Sequence, residues 1–220
     1  MTPVDAVATT DVDPDEGSDH DDIVVLPWWQ HPFNVIGLVV AALLIGAMSG
    51  WLIGDSAARR SGNDVDAGFL DDMRTHHEQA VEMALIYVTR PDTDAGLRTV
   101  ARSILLGQSQ DIGRMVQLGR DLRIGEDDDP EQAMGWMGMA TPVAEMPGMA
   151  SEEQLDELSS ADGAAADAEF VELMVAHHRG GIEMTEFAAE RAEDPEVRAL
   201  AQAKAVGQAD EIVELEGLLG

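Results

Sequence analysis

The chain has 220 residues, a formal net charge of -30 and no cysteine. That length holds one domain with a tail or two small domains, and a hydrophobic share of 45% is enough for a sizeable core. The charge argues against a nucleic-acid partner, which needs a cationic face for phosphates. The missing cysteines exclude disulfides, iron–sulfur clusters, thiolate zinc sites and lipid attachment to cysteine. Any soft-metal ligand must therefore be methionine or histidine. A solvated acidic surface is the plain reading of the charge itself.

Residues 1–32 are read as a disordered acidic tail, because the first 26 positions hold seven aspartates, one glutamate and no lysine or arginine. An uncharged run of 21 residues follows, from Phe33 to Ile53. At about 1.5 Å per residue it spans roughly 30 Å, the thickness of a bilayer core. Trp28, Trp29 and Trp51 flank it as interfacial aromatics do. Residues 33–54 are therefore predicted to be a single transmembrane helix. The run starts too late for a signal peptide, lacks a basic leader and exceeds the usual apolar length. No basic residue precedes it, while Arg59 and Arg60 follow, a bias that places the C-terminal part inside the cell.

Helical periodicity begins at Asp64. A first hairpin is predicted over 66–123, with helices at 66–90 and 92–123. Residues 125–150 hold glycine, proline, acidic side chains and five methionines: Met134, Met137, Met139, Met146 and Met149. They form a long connection, either a flexible segment that wraps a copper ion or an apolar strap on the bundle. Ser151 and Gln154 have the spacing of a capping box for a short helix. A second hairpin covers 163–220, with a long helix at 163–192. Asp194 and Pro195 then supply an N-cap and a first helical proline for the last helix.

The second hairpin repeats the first. Asp66, Phe69, Met73, His76, His77, Glu82 and Met83 recur as Asp167, Phe170, Met174, His177, His178, Glu183 and Met184, always 101 residues later. In the following helices Arg98, Gly107, Gln108 and Ile112 recur as Arg198, Gly207, Gln208 and Ile212, 100 residues later. Two hairpins joined by a long crossover predict an all-α fold, an antiparallel four-helix bundle over 64–220.

The skeleton M-x2-HH-x4-EM thus occurs twice and holds four of the six histidines. At about 100° per residue, Phe69, Met73, His76, His77, Ala80 and Met83 fall within an arc of roughly 120°, and Glu82 falls opposite. The second copy behaves alike, with Glu183 opposite. Two such arcs facing each other bring four imidazoles and four thioethers into the interior. One reading is a hydrogen-bonded histidine core with methionine as filler, in a metal-free interaction module at a membrane surface. The other is a metal site, in which a shared ligand offsets the cost of burying four imidazoles. Neutral imidazole with thioether suits Cu(I), and by extension Ag(I), better than zinc, magnesium or calcium. The candidate ligands are His76, His77, His177 and His178, with Met73, Met83, Met174 and Met184. A carboxylate-bridged di-iron site needs Glu-x-x-His on two helices, which is absent, as is HExxH. No nucleophilic triad, phosphate loop or dinucleotide fingerprint is present, and nothing in this reading requires catalysis.

The doubled M-x2-HH-x4-EM helices, the Met146–Leu155 segment MPGMASEEQL, and the Gln108–Ile112 and Gln208–Ile212 segments resemble the domain of unknown function 305 family. The resemblance covers about residues 64–220. It implies a ferritin-like bundle. It also implies an extracytoplasmic setting and, for some members, copper or silver binding tied to metal resistance, with the doubled motif supplying the ligands. The expectation is a single-pass membrane protein whose bundle lies outside the cytoplasm, against the Arg59 and Arg60 bias.

Overall fold

The computed structural model describes residues 27–57, 62–125 and 131–219. The chain divides after Leu52 into two units. Helix α1, Pro32–Ala57, makes up most of the described part of the first. Its stretch Pro32–Leu52 has a mean hydropathy of 2.3 and no buried side chain, so it is long and apolar enough to cross a membrane, as a signal sequence also is. The acidic positions 1–26, together with Arg59 and Arg60, lie outside the described residues.

The second unit is built on four long helices: α2 (Asp64–Val88), α3 (Ala95–Asp121), α5 (Gly163–Arg191) and α6 (Pro195–Leu219), with the short α4 (Glu152–Ser160) before α5. Helices α2 and α3 form one hairpin and α5 and α6 the other, and α2 packs on α5 across the bundle. Capping chemistry sets the helix starts. Ser151 and Gln154 form the capping box of α4. Asp194 accepts from Glu196 N and Val197 N ahead of Pro195. Helix α3 begins at Ala95 and not at position 92, because Asp92 has a left-handed φ of 58° and the Asp94 carboxylate accepts from Gly96 N and Leu97 N.

The duplicated aspartates tie the hairpins together. Asp66 closes a capping box with Asn63, then accepts from Glu193 N at 3.0 Å and Asp194 N at 3.1 Å in the turn between α5 and α6. Asp167 accepts from Asp94 N at 3.0 Å and from the Tyr87 hydroxyl at 2.6 Å, at the turn between α2 and α3. Each hairpin thus sends a carboxylate into the other's turn.

Along all four helices the core has the same order. One apolar cluster holds Phe69, Met73, Met115, Met184 and Leu200, and the other holds Met83, Tyr87, Ile104, Phe170, Met174 and Leu215. Between these positions in sequence fall buried polar residues: His76 and His77 on α2, Gln108 on α3, His177 and His178 on α5, and Gln208 on α6. The bundle is therefore apolar at both ends with a polar layer across its middle.

The methionine-rich connection is docked on this bundle. It carries a two-stranded ribbon of β1 (Gln132–Ala133) and β2 (Thr141–Pro142), paired antiparallel. Asp72 Oδ2 accepts from Met134 N at 2.7 Å and from Trp136 Nε1 at 2.6 Å. Trp136 sits edge-on to Phe69 and Phe187. Further along, the Gln79 amide pairs with both backbone groups of Ala150, donating at 2.8 Å and accepting at 2.7 Å. Between these anchors Pro147 and Gly148 press against α5. A Cβ at Gly180 would lie 1.9 Å from Pro147 O, and one at Gly148, whose φ is +83°, would lie 2.5 Å from Ala176 O. Two glycines permit this backbone contact.

Gly180→Ala is expected to destabilise the bundle by roughly 1–3 kcal/mol, because overpacking of this contact outweighs the gain of about 1 kcal/mol in helix propensity. Urea unfolding measures it, and faster proteolysis between residues 131 and 150 identifies the strap as the part that moves.

Candidate metal centre

The polar layer is where the sequence motif falls. All eight candidate side chains, four histidines and four methionines, are no more than 1% exposed. Glu82 and Glu183 are exposed, as their helical phase requires. The closest approach joins the two repeats: the His76 and His177 rings lie 3.6 Å apart between centroids, tilted by 33°. His178 lies 6.2 Å from His177, nearly edge-on. Methionines flank the layer in pairs drawn from different repeats. Met83 and Met174 belong to one apolar cluster and Met73 and Met184 to the other. The eight residues therefore form a histidine layer between two thioether pairs.

The layer is short of hydrogen-bond partners. His76 Nε2 meets the Pro147 carbonyl at 3.2 Å, which ties the strap to the motif. His77 Nε2 lies 3.8 Å from Asp111 Oδ2, and His178 Nε2 lies 2.6 Å from Glu211 Oε2 without the angle of a hydrogen bond. His76 Nδ1, His77 Nδ1, His178 Nδ1 and both ring nitrogens of His177 have no hydrogen-bond partner among the described residues. Each unpartnered buried polar atom costs about 1–3 kcal/mol. A native core seldom tolerates so many unless something else uses them.

Burial also fixes the charge state. It pushes the His76 imidazole down to about 4; the Pro147 carbonyl pulls the other way, and His178 adds to the fall. Burial drives His77 and His177 well below the usual histidine range, with neighbouring imidazoles adding in both cases and Lys204 adding at His77. At neutral pH these three rings are uncharged, the form in which imidazole binds a metal. Among the described residues no group of three or more His, Cys, Asp or Glu side chains is placed to hold a metal ion. Among the described residues the His76 and His177 rings make the close approach across the repeats, and the donor types that the layer holds, imidazole and thioether, are soft or borderline.

Several features escaped the sequence pattern. Asp111 and Glu211 are repeat-related and approach His77 and His178, and the aspartate–isoleucine and glutamate–isoleucine pairs of the third and sixth helices were the only hint of them. Gly181 has its role in the second copy, since a Cβ there would meet Gln208 Oε1 at 2.2 Å.

The family model for a domain of unknown function, DUF305, matches residues 66–219. The chain belongs to the DUF305 family. Its bundle is similar to a DUF305 protein of Streptomyces coelicolor, provisionally described as secreted, with a TM-score of 0.63, 35% identity, and coverage of 70% of this chain and 91% of that one. It is also similar to a DUF305 fragment from Deinococcus radiodurans, with a TM-score of 0.61, 30% identity, and coverage of 73% and 98%. A third similar structure is CopM in its Cu(I)-bound form, with a TM-score of 0.51, 25% identity, and coverage of 70% and 94%. No curated protein matches the chain. The ferritin-like fold of this DUF305 bundle is thus shared with its relatives.

The buried imidazoles make the bundle acid-labile. In the folded state His76 holds its proton only below about 4, against 6.5 when unperturbed. Between those values the unfolded chain binds more protons, so stability falls as pH falls through the window. The loss from His76 alone is on the order of 3 kcal/mol by pH 4, and His77 and His177 add to it. Thermal melts between pH 7.5 and pH 4 are expected to show this decline, and His76→Asn to show a shallower one.

Proposed function

We propose that this DUF305 protein binds a soft metal ion, Cu(I), in the polar layer of its bundle and serves in metal buffering, delivery or resistance while held at a membrane by α1. The observation that carries the reading is the set of buried imidazoles drawn from both repeats, His76, His77, His177 and His178: His76 Nδ1, His77 Nδ1, His178 Nδ1 and both nitrogens of His177 lack a hydrogen-bond partner among the described residues, and burial keeps His76, His77 and His177 neutral. A metal ion is the ligand that uses a lone pair on each of several imidazoles at once. Met73, Met83, Met174 and Met184 supply soft donors that need no deprotonation. Similarity to the Cu(I)-bound CopM structure supports the choice of metal.

The uncharged stretch Pro32–Leu52 of α1 and the exposed Trp28, Trp29 and Trp51 support a single-pass anchor. The secreted description of the Streptomyces relative supports an extracytoplasmic bundle. A cysteine-free site suits an oxidising compartment, where thiols are lost. A second reading, a metal-free module at the membrane surface, draws on the contacts that the histidines already make, that of His178 with Glu211 among them. The His76–Pro147 interaction gives that histidine a structural use in seating the strap.

Titration separates the two. The full chain in detergent micelles is expected to take Cu(I) from a competing chelator. Replacing His76 and His177 together by leucine is expected to weaken binding by more than about 100-fold, beyond the 10–100-fold typical of outer-shell changes. Circular dichroism checks that helix content is kept. A parent chain that leaves all Cu(I) on the chelator supports the metal-free module instead.

A further inference from the structure

We propose that the α3–α6 face is the entrance by which a cation reaches the polar layer, and that Lys204 is a displaceable latch across it; this rests on the metal-binding reading above. A cavity of about 50 Å³ lies on that face. Its walls are repeat-related pairs, Gly107 with Gly207 and Gln108 with Gln208. His77 reaches it from α2. The cavity therefore touches one of the four central imidazoles directly.

Other approaches to the layer are covered by described residues. Apolar clusters fill the bundle on either side of it. The strap covers the His76 side, with Pro147 on the His76 ring and against Gly180. On the α3–α6 face, by contrast, the backbone leaves room. A Cβ at Gly107 or Gly207 would meet nothing within 4 Å.

The lining suits a cation in passage. Asp111 and Glu211 both border the cavity and outnumber its one ammonium, and a cleft of net negative charge concentrates cations. Gln108 and Gln208 are each 4% exposed, and the Oε1 of each has no partner among the described residues. These are carbonyl oxygens that a cation shedding water can use. The carboxylates and amide carbonyls that line the cavity are hard oxygen donors, which draw a soft cation in without holding it.

Lys204 breaks the repeat. Its counterpart, Ile104, is buried in the core, whereas Lys204 borders the cavity and its ammonium pairs with Asp111. The cavity thus already holds one tethered cation. A partly exposed pair of this kind contributes little stability, so an incoming ion can compete for Asp111 and turn the lysine out.

The test follows transfer of Cu(I) from a coloured chelator to the full chain in detergent micelles, at equilibrium and in a stopped-flow mixer. The double variant Gly107→Leu, Gly207→Leu places side chains over the opening, and leucine favours a helix over glycine, so the fold is kept. Loading and release are both expected to slow by about tenfold with affinity unchanged, since a barrier on the route acts equally in both directions. Lys204→Leu, which removes the ammonium and adds no metal donor, is expected to load faster than the parent. A double variant that loads and releases at the parent rate overturns the route while leaving the metal site standing. A Lys204→Leu chain no faster than the parent overturns the latch. A parent chain that binds no Cu(I) overturns the metal reading and the entrance together.

Discussion

The exchange of two carboxylates between hairpins holds the bundle in register. Asp66 sits at the start of α2 yet accepts from Glu193 N and Asp194 N, and Asp167 sits near the start of α5 yet accepts from Asp94 N. Charge-assisted hydrogen bonds to backbone N–H groups are among the stronger ones in proteins. Here they also satisfy turn donors that would otherwise be orphaned next to a helix start. The pair fixes how far α2 slides along α5. A shift of one helical turn would carry His76 away from His177 and match histidine with methionine. The close ring contact in the middle of the bundle is a consequence of carboxylates placed at its ends.

The polar layer is affordable only because of what surrounds it. Large apolar clusters lie on both sides, and stacked Tyr87 and Phe170 close one of them at 4.2 Å between centroids. That burial supplies the folding free energy from which the unpartnered imidazoles subtract. The same burial keeps three of the rings neutral, so that electrostatics and packing prepare one state: uncharged nitrogen donors flanked by sulfur. The docked strap adds a wall, with Gln79 and Asp72 fixing it at two points on α2. Strap, histidine layer and thioether pairs are all addressed by one helix face.

Much of this was legible in the sequence, and the division between legible and hidden is physical. Helices α2 and α5 declared themselves by apolar period, and the offset of 101 between their residues predicted that they would face each other. The inward phase of Met73, His76, His77 and Met83 follows from helix geometry alone. Contacts between residues far apart in the chain left no such trace. Nothing local marks Asp66 as the partner of a turn 128 residues away, or Gly180 as the floor under Pro147. Asp92 looked like a helix start because its left-handed φ cannot be read from composition. The α3–α6 cavity was hidden for the same reason: it is lined by residues spaced as ordinary helix surface, and only the packing of two hairpins turns that surface inward.

The crossover that joins the hairpins has a thermodynamic effect distinct from its packing. A layer shared by two separate hairpins would exist only in a dimer, and its population would fall with dilution. Covalent fusion replaces that bimolecular step by an intramolecular one, whose effective concentration is set by the connection and not by the amount of protein. The histidine layer of this chain is therefore assembled in every folded molecule, however scarce the protein. Fusion also freed the two copies to differ, so that Ile104 could remain apolar while its counterpart became Lys204. A symmetric dimer would carry two lysines or none. The single chain carries one, and with it a direction.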